Sequence, residues 1–248
     1  SIVYGAYAYL KSLPDDHPQK IDKLLVIGPL SSFAPWENEY EKCFGRKSSS
    51  FRMSGDAKIT TNQKEQHLHS PSPAEITLIF HGGVDRYQKD ISDFLKRNDT
   101  MVVVDEAHRI KNPNGIWGMS VTEISKYAKA RVILTGTPVP NGYQDIFNLF
   151  KFIYPFKYKE ILDFHYQNLE DMTLNNHPES SKVQELKENL SPFFIRIRKC
   201  DLELPDIEEN IIHLDMHPYQ REIYDFIENR YITDFRLDSS ATVKDILN

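Results

Sequence analysis

Two adjacent carboxylates, Asp105 and Glu106, follow directly on the apolar run 101–104, and His108 stands two residues further on. A carboxylate presented at the end of a buried strand can hold Mg²⁺ through the metal's water shell beside nucleotide phosphates. Its neighbour can polarise the water that attacks a γ-phosphate. A bare Asp-Glu pair after a strand is more often a plain polar loop. The longer pattern "VVVDEAHRIKN", which continues through Arg109 and Lys111, is far more specific. Downstream, "LTGTP" places Thr135 and Thr137 on either side of Gly136, again at the end of an apolar run. These threonines read either as ordinary strand-end turn residues or as groups that couple the acidic site to something beyond it.

Such residues need elements that bring them to one place. Strands and helices alternate along the chain, the pattern of a parallel sheet covered by helices. "KLLVIGP", "EITLIF", "TMVVV" and "RVILTG" read as buried strands, since their apolar runs are continuous and not alternating. Between them, "YGAYAYLKSL" reads as a helix ended by Pro14 and Pro18. Trp36, Tyr40, Cys43 and Phe44 share one helical face, which makes Cys43 a small core residue. "YQKDISDFLKRN", the segment 121–130 and "QDIFNLFKFI" complete the expected helices, and Pro155 stops the last. Two stretches break the rhythm. The segment 45–73, rich in Ser, Lys, Gln and Thr, is expected to be a partly mobile surface excursion. From about 156, helical pieces separated by "LNNHPESS" read as an appendage. Beyond it, "NIIHLDM" alternates, with Ile212, Leu214 and Met216 on one face, and an amphipathic helix follows Pro218. In a parallel α/β sheet, ligands bind outside the carboxyl ends of the strands, so Asp105 and Glu106 are expected to be presented there.

Composition narrows the function classes. With 40% hydrophobic and 27% charged residues over 248 positions, the chain suits a soluble globular protein with one full core and part of a second. A net charge of −6 argues against coating nucleic acid by bulk electrostatics, so any polyanion site must be local. Its two cysteines, Cys43 and Cys200, lie far apart and suggest neither a disulfide framework nor a zinc site, which fits a reducing cytoplasm. Apolar runs are too short or too interrupted to span a bilayer. The opening "SIVYGAYAYL" lacks Met and a basic start, and reads as a cut edge. His67 and His69 have a metal-like spacing but no third ligand nearby, and read as solvated loop histidines. Arg196, Arg198 and Lys199 read equally as a phosphate-contacting run or a solvated face.

The pattern as a whole resembles the superfamily 2 helicases and translocases, and within them the Swi/Snf-type double-stranded DNA translocases. "DEAH", at 105–108, is similar to their Walker B motif and "RIKN" to its Swi/Snf extension. "LTGTPVPNGYQDIFNLFKFIYP" resembles motif III with its helix. "LLVIGPLSSFAPWENEYEKCF" resembles motif Ia, and "PFFIRIRKCDLELPDIEENIIHLDMHPYQREIYDFI" the segment joining the two lobes. The resemblance implies a RecA-like α/β fold: a first lobe over 1–155 without its P-loop strand, a helical appendage or linker over 156–205, and the start of a second lobe over 206–248. It implies ATP and Mg²⁺ as cofactors and double-stranded DNA as partner, with the nucleus as its place in a eukaryote. Asp105 would hold Mg²⁺ through water, Glu106 would activate the attacking water, and His108, Thr135, Gly136 and Thr137 would couple nucleotide state to DNA. Pro29, Ser31 and Ser32 would touch the phosphate backbone, with Arg196, Arg198 and Lys199 as further candidates. Ser1 would sit at or beside the end of the phosphate-binding loop. No G-K-[ST] loop lies in these 248 residues, nor do motifs V and VI with their arginine finger, so the chain alone is expected to be inactive. "HGGVDR", at 81–86, departs from the Thr-Tyr-Glu that relatives carry at motif Ib, which puts DNA contact there in doubt. The rival readings are a helicase subunit of a restriction or defence system and a non-catalytic RecA-like binding module.

Overall fold

The computed structural model describes residues 2–175, 180–197 and 210–237, with side chains up to Asn229. Five parallel strands form one sheet: β1 (Lys23–Ile27), β2 (Ser50–Arg52), β3 (Ile76–Ile79), β4 (Thr100–Val104) and β5 (Ala130–Ile133), in the order β2-β3-β1-β4-β5. Ile27 sits opposite both Ile79 and Val104, and Val104 opposite Ile133. Four strands therefore end level with one another, and the residues that follow them share one edge. β5 is the outer strand on that side, and its residues are only half-buried.

Each central strand is apolar throughout because each face of the sheet is covered. Leu24, Val26, Ile76, Leu78, Met101 and Val103 face Tyr4, Tyr7, Phe33, Trp36 and Tyr40, which belong to helices α1 (Ile2–Ser12) and α2 (Phe33–Phe44). The alternate residues Leu25, Ile27, Ile79, Val102 and Val104 face the other layer. That layer comprises α3 (Thr61–His69), α4 (Gln88–Arg97), α5 (Ile116–Ser125) and α6 (Asp145–Ile153). At the opposite edge, Glu75 fastens α1 and α2 to the sheet. Its carboxylate accepts from Tyr7, Tyr40, Lys11 and Arg46. Burial opposes the charge, but these donors win and hold the carboxyl down at about 2.

Beyond α6, a separate apolar cluster joins Ile146 and Phe150 to Leu162, Leu169, Met172, Val183 and Leu186. These residues come from α7 (Tyr158–Leu162), α8 (Tyr166–Asn175) and α9 (Ser181–Leu190). The expected appendage thus packs on α6, and one compact unit runs Ser1–Phe194, with a second at Ile195–Asn248. In the second unit, 210–217 has no regular element, and α10 (Pro218–Leu237) follows.

Several expectations are corrected. The segment 45–73 is not an excursion outside the sheet: it supplies strand β2, paired with β3, and helix α3, opened by a capping box between Thr60 and Gln63. Met53 and Leu68 from this segment are buried in the core. His67 is no solvated histidine but is buried, stacked on Phe51, and lies 2.9 Å from Thr77 Oγ1; His69 lies 3.0 Å from Asp90. Cys43 is exposed, although it shares the helical face of the buried Trp36 and Tyr40; it stands one residue before the end of α2. The helix expected over 121–130 begins at Ile116 and ends at Ser125, where the chain turns into β5. Among the described residues, no helix is long and apolar enough to cross a membrane.

Candidate functional site

The aligned strand ends build the site. The Asp105 N–H donates to the Ile27 carbonyl at 2.8 Å, and the Ala107 N–H to the Leu134 carbonyl at 2.9 Å, so the turn after β4 is tied to the strands on both sides. Between these anchors, Glu106 adopts φ 51° and ψ 49°, the left-handed region that residues with a side chain seldom occupy. Such a conformation costs about 1–3 kcal/mol and persists only where surrounding contacts determine it.

Those contacts converge on Asp105. Its Oδ1 accepts the Glu106 N–H at 3.0 Å, and its Oδ2 accepts Trp36 Nε1 at 3.1 Å. Its carbonyl oxygen lies 2.7 Å from Nε2 of the buried His81. Burial holds that imidazole below the ordinary histidine value despite the carbonyl contact, and the Arg109 charge adds to the effect. β1 can end this close because residue 28 is glycine: a Cβ there would stand 3.2 Å from the Asp105 Cβ and 2.8 Å from Ser32 Oγ. Trp36 is itself fixed, since its carbonyl accepts the Tyr4 hydroxyl at 2.6 Å. A cleft of about 290 Å³ opens at this point, lined by Val3, Tyr4, Ser32, Trp36, Asp105 and Leu134 among others.

The Glu106 side chain is half-exposed. Its carboxylate lies 3.3 Å from His108 Nδ1, and that nitrogen lies 3.5 Å from Thr135 Oγ1. Thr135 Oγ1 also accepts the Thr137 N–H at 3.2 Å. A chain of contacts therefore runs from Glu106 through His108 to the turn after β5. The "RIKN" segment is held as well. Lys111 Nζ reaches the buried Asp145 Oδ2 at 3.2 Å, the same oxygen accepts the Asn141 N–H at 2.8 Å, and the Asn148 amide donates to the Ile110 carbonyl.

Asp105, Glu106, His108 and Thr135 thus come together, with Gly136 and Thr137 exposed just beyond. Pro29, Ser31 and Ser32 follow β1 at the same edge; Ser31 is exposed, while the Ser32 hydroxyl donates to the Pro29 carbonyl at 2.9 Å. Arg196 is exposed and belongs to the second compact unit. Ser1, Arg198 and Lys199 lie outside the described residues. Sequence reasoning missed two residues that hold Asp105. Trp36 reads from its helical face as core, although a buried indole N–H must find an acceptor. His81 stands directly after a strand, which in a parallel sheet places it at the same edge as the acids.

The family described as SNF2-related domain matches residues 7–248, and the chain belongs to that family. The mouse (Mus musculus) protein named chromodomain-helicase-DNA-binding protein 1-like is 30% identical over 226 residues, covering 89% of this chain and 24% of that protein. Human (Homo sapiens) chromodomain-helicase-DNA-binding protein 7 is 27% identical over 234 residues, covering 90% of this chain and 8% of that protein. Among solved structures, the Sulfolobus solfataricus SWI2/SNF2 ATPase core in complex with dsDNA shares 25% identity at a TM-score of 0.56, covering 96% of this chain and 47% of that one. The fold is accordingly the RecA-like parallel sheet of that ATPase core. The chain spans about a quarter or less of these curated relatives and about half of the solved core.

Proposed function

We propose that this chain carries the acidic part of the ATP-hydrolysing centre of a Swi/Snf-type double-stranded DNA translocase. The observation that supports this most is the paired acids at the carboxyl edge of a central parallel strand, with Asp105 fixed at three points and Glu106 directed outward beside His108 and Thr135. A mouse relative with helicase and DNA-binding in its name, and an archaeal ATPase core solved with dsDNA, support the same reading.

The donor set fits a hydrated magnesium ion. Among the described residues no three His, Cys, Asp or Glu side chains gather as a protein cage. A single carboxylate suits Mg²⁺, which keeps several waters and takes its remaining oxygens from phosphates. Each Asp105 oxygen accepts one N–H and retains a further lone pair, so Trp36 and Glu106 orient the group without exhausting it. When bound, Mg²⁺·ATP supplies the phosphoryl group and neutralises charge on it. Asp105 holds the hydrated ion, and Glu106 orients and deprotonates the attacking water. His108 and Thr135, with Gly136 and Thr137, relay the state of that site to the turn after β5. Pro29, Ser31 and Ser32 meet the duplex backbone, where small hydroxyls and free N–H groups position DNA without reading bases. Arg196, Arg198 and Lys199 add phosphate contacts.

In this reading, 1–155 is a first RecA-like lobe, 156–205 a helical linker, and 206–248 the start of a second lobe. With no G-K-[ST] loop and no arginine finger in its 248 residues, the chain alone turns over little ATP. The protein acts where DNA is, which in a eukaryote is the nucleus. Phosphate release by the longest natural reading frame containing this chain, with and without duplex DNA, tests the proposal. Duplex-stimulated hydrolysis without strand separation supports a translocase. Strand separation would favour a helicase subunit, and no hydrolysis would leave a binding module.

A further inference from the structure

His81 is fully buried at the carboxyl end of β3, and its Nε2 lies 2.7 Å from the Asp105 carbonyl oxygen. A carbonyl only accepts, so Nε2 is the nitrogen that donates to it, which leaves Nδ1 as the ring's other nitrogen. That Nδ1 is buried without a hydrogen-bond partner, so the Asp105 contact is the polar interaction that orients the ring. Aromatic neighbours fix the ring plane. Phe80 meets it edge-on at 5.8 Å, and Trp117 lies nearly parallel at 6.2 Å. Gly82 leaves room for this stack, since a Cβ there would come within 3.1 Å of both Phe80 and Trp117.

The peptide plane that carries the Asp105 carbonyl also carries the Glu106 N–H. Each polar end of that plane has its own partner: His81 on the oxygen and Asp105 Oδ1 on the N–H. Rotating the plane would break both bonds, and the plane's orientation sets the left-handed φ of Glu106. We infer that His81 is a positioning residue: by donating to the Asp105 carbonyl it locks the Asp105–Glu106 peptide, and with it the direction in which Glu106 leaves the strand end. The turn 81–83 after β3 is thereby tied to the acidic turn after β4. This gives the "HGGVDR" segment a role inward, toward the acids.

The inference rests on the proposed role of Glu106, and its test separates the two. On the 248-residue chain, long-range ¹H–¹⁵N correlation spectra, with the His81 signals assigned by their loss in His81→Gln, should show a single Nε2-protonated tautomer. An Nδ1-protonated or rapidly exchanging ring overturns the inference, whatever the activity. In the longest natural reading frame, His81→Phe keeps the aromatic stack and removes the donor. Loss of such a supporting contact typically costs about 10–100-fold in activity. The loss should appear in kcat, with KM for ATP within about twofold of the parent, and His81→Gln, which restores a donor, should recover most of it. Parent-like turnover in His81→Phe, a change confined to KM, or equal losses in both variants contradicts the inference. Glu106→Gln is the control. If that variant keeps its rate, the reading of the acids fails; if it is inactive while His81→Phe is active, the His81 inference fails alone.

Discussion

Glu106 occupies a backbone conformation that glycine would adopt without steric cost, in a turn where the Trp36 indole, His81 and the Glu106 N–H all hold Asp105. Its strained position makes sense if the carboxylate is needed there, since strain of this kind collects at working sites. Replacing it separates the two demands. Glu106→Gly should lose ATP turnover in the longest natural reading frame, while the 248-residue chain becomes no less stable, gaining up to about 1 kcal/mol as the left-handed strain is relieved. Urea unfolding with a matched phosphate-release assay measures both. A variant that is clearly destabilised, or that still hydrolyses ATP, would contradict this account of the turn.

The elements decide how the site is held, and α3 with β2 shows where pattern reading stops. His67, buried on Phe51, is pushed down to about 4 by burial. Its folded value lies below the ordinary 6.5, so the native state refuses a proton that the unfolded chain accepts. The resulting stability is intact above the ordinary value and is lost as pH falls from there toward 4, by up to about 1.4 kcal/mol per pH unit. Glu75, held at about 2, loses its contribution in a lower window, below 4.5. Urea midpoints from pH 7 to pH 5 should therefore fall for the parent and flatten for His67→Gln; equal slopes would show that His67 titrates normally. Nothing in "TNQKEQHLH" advertises this burial. It has one strongly apolar residue, Leu68, and no helical stripe, while β2 is three residues defined only by pairing with β3. β1, β3 and β4 are legible because two covered faces demand apolar runs, and the half-buried β5 because Val132, Ile133 and Leu134 follow one another. α5 was placed late because Gly118 and polar residues among its buried positions hide its period. The acids could be read from the strand they end. The Trp36 and His81 contacts are harder to read, because they join Asp105 to residues 69 and 24 positions away in sequence that meet it only at the shared sheet edge, a product of topology and not of local pattern.

At the scale of the whole molecule, the net charge limits the proposed DNA contact to a weak, local hold. A chain of net charge −6 can neutralise few phosphates at once, so duplex affinity should be low, fall with salt and show little sequence preference. Titration of labelled duplexes at two salt concentrations checks this, and tight, salt-insensitive binding would refute it. The family membership and the RecA-like sheet set the frame within which the acidic turn has meaning. The central claim is that Glu106 activates water for ATP hydrolysis while Asp105 manages the metal. It is tested most directly by phosphate release from the longest natural reading frame, parent against Glu106→Gln, with and without duplex DNA. The amide keeps the shape but cannot act as a base, so nucleotide binding should persist while DNA-stimulated turnover disappears. A Glu106→Gln protein that kept the parent's DNA-stimulated rate would contradict the claim.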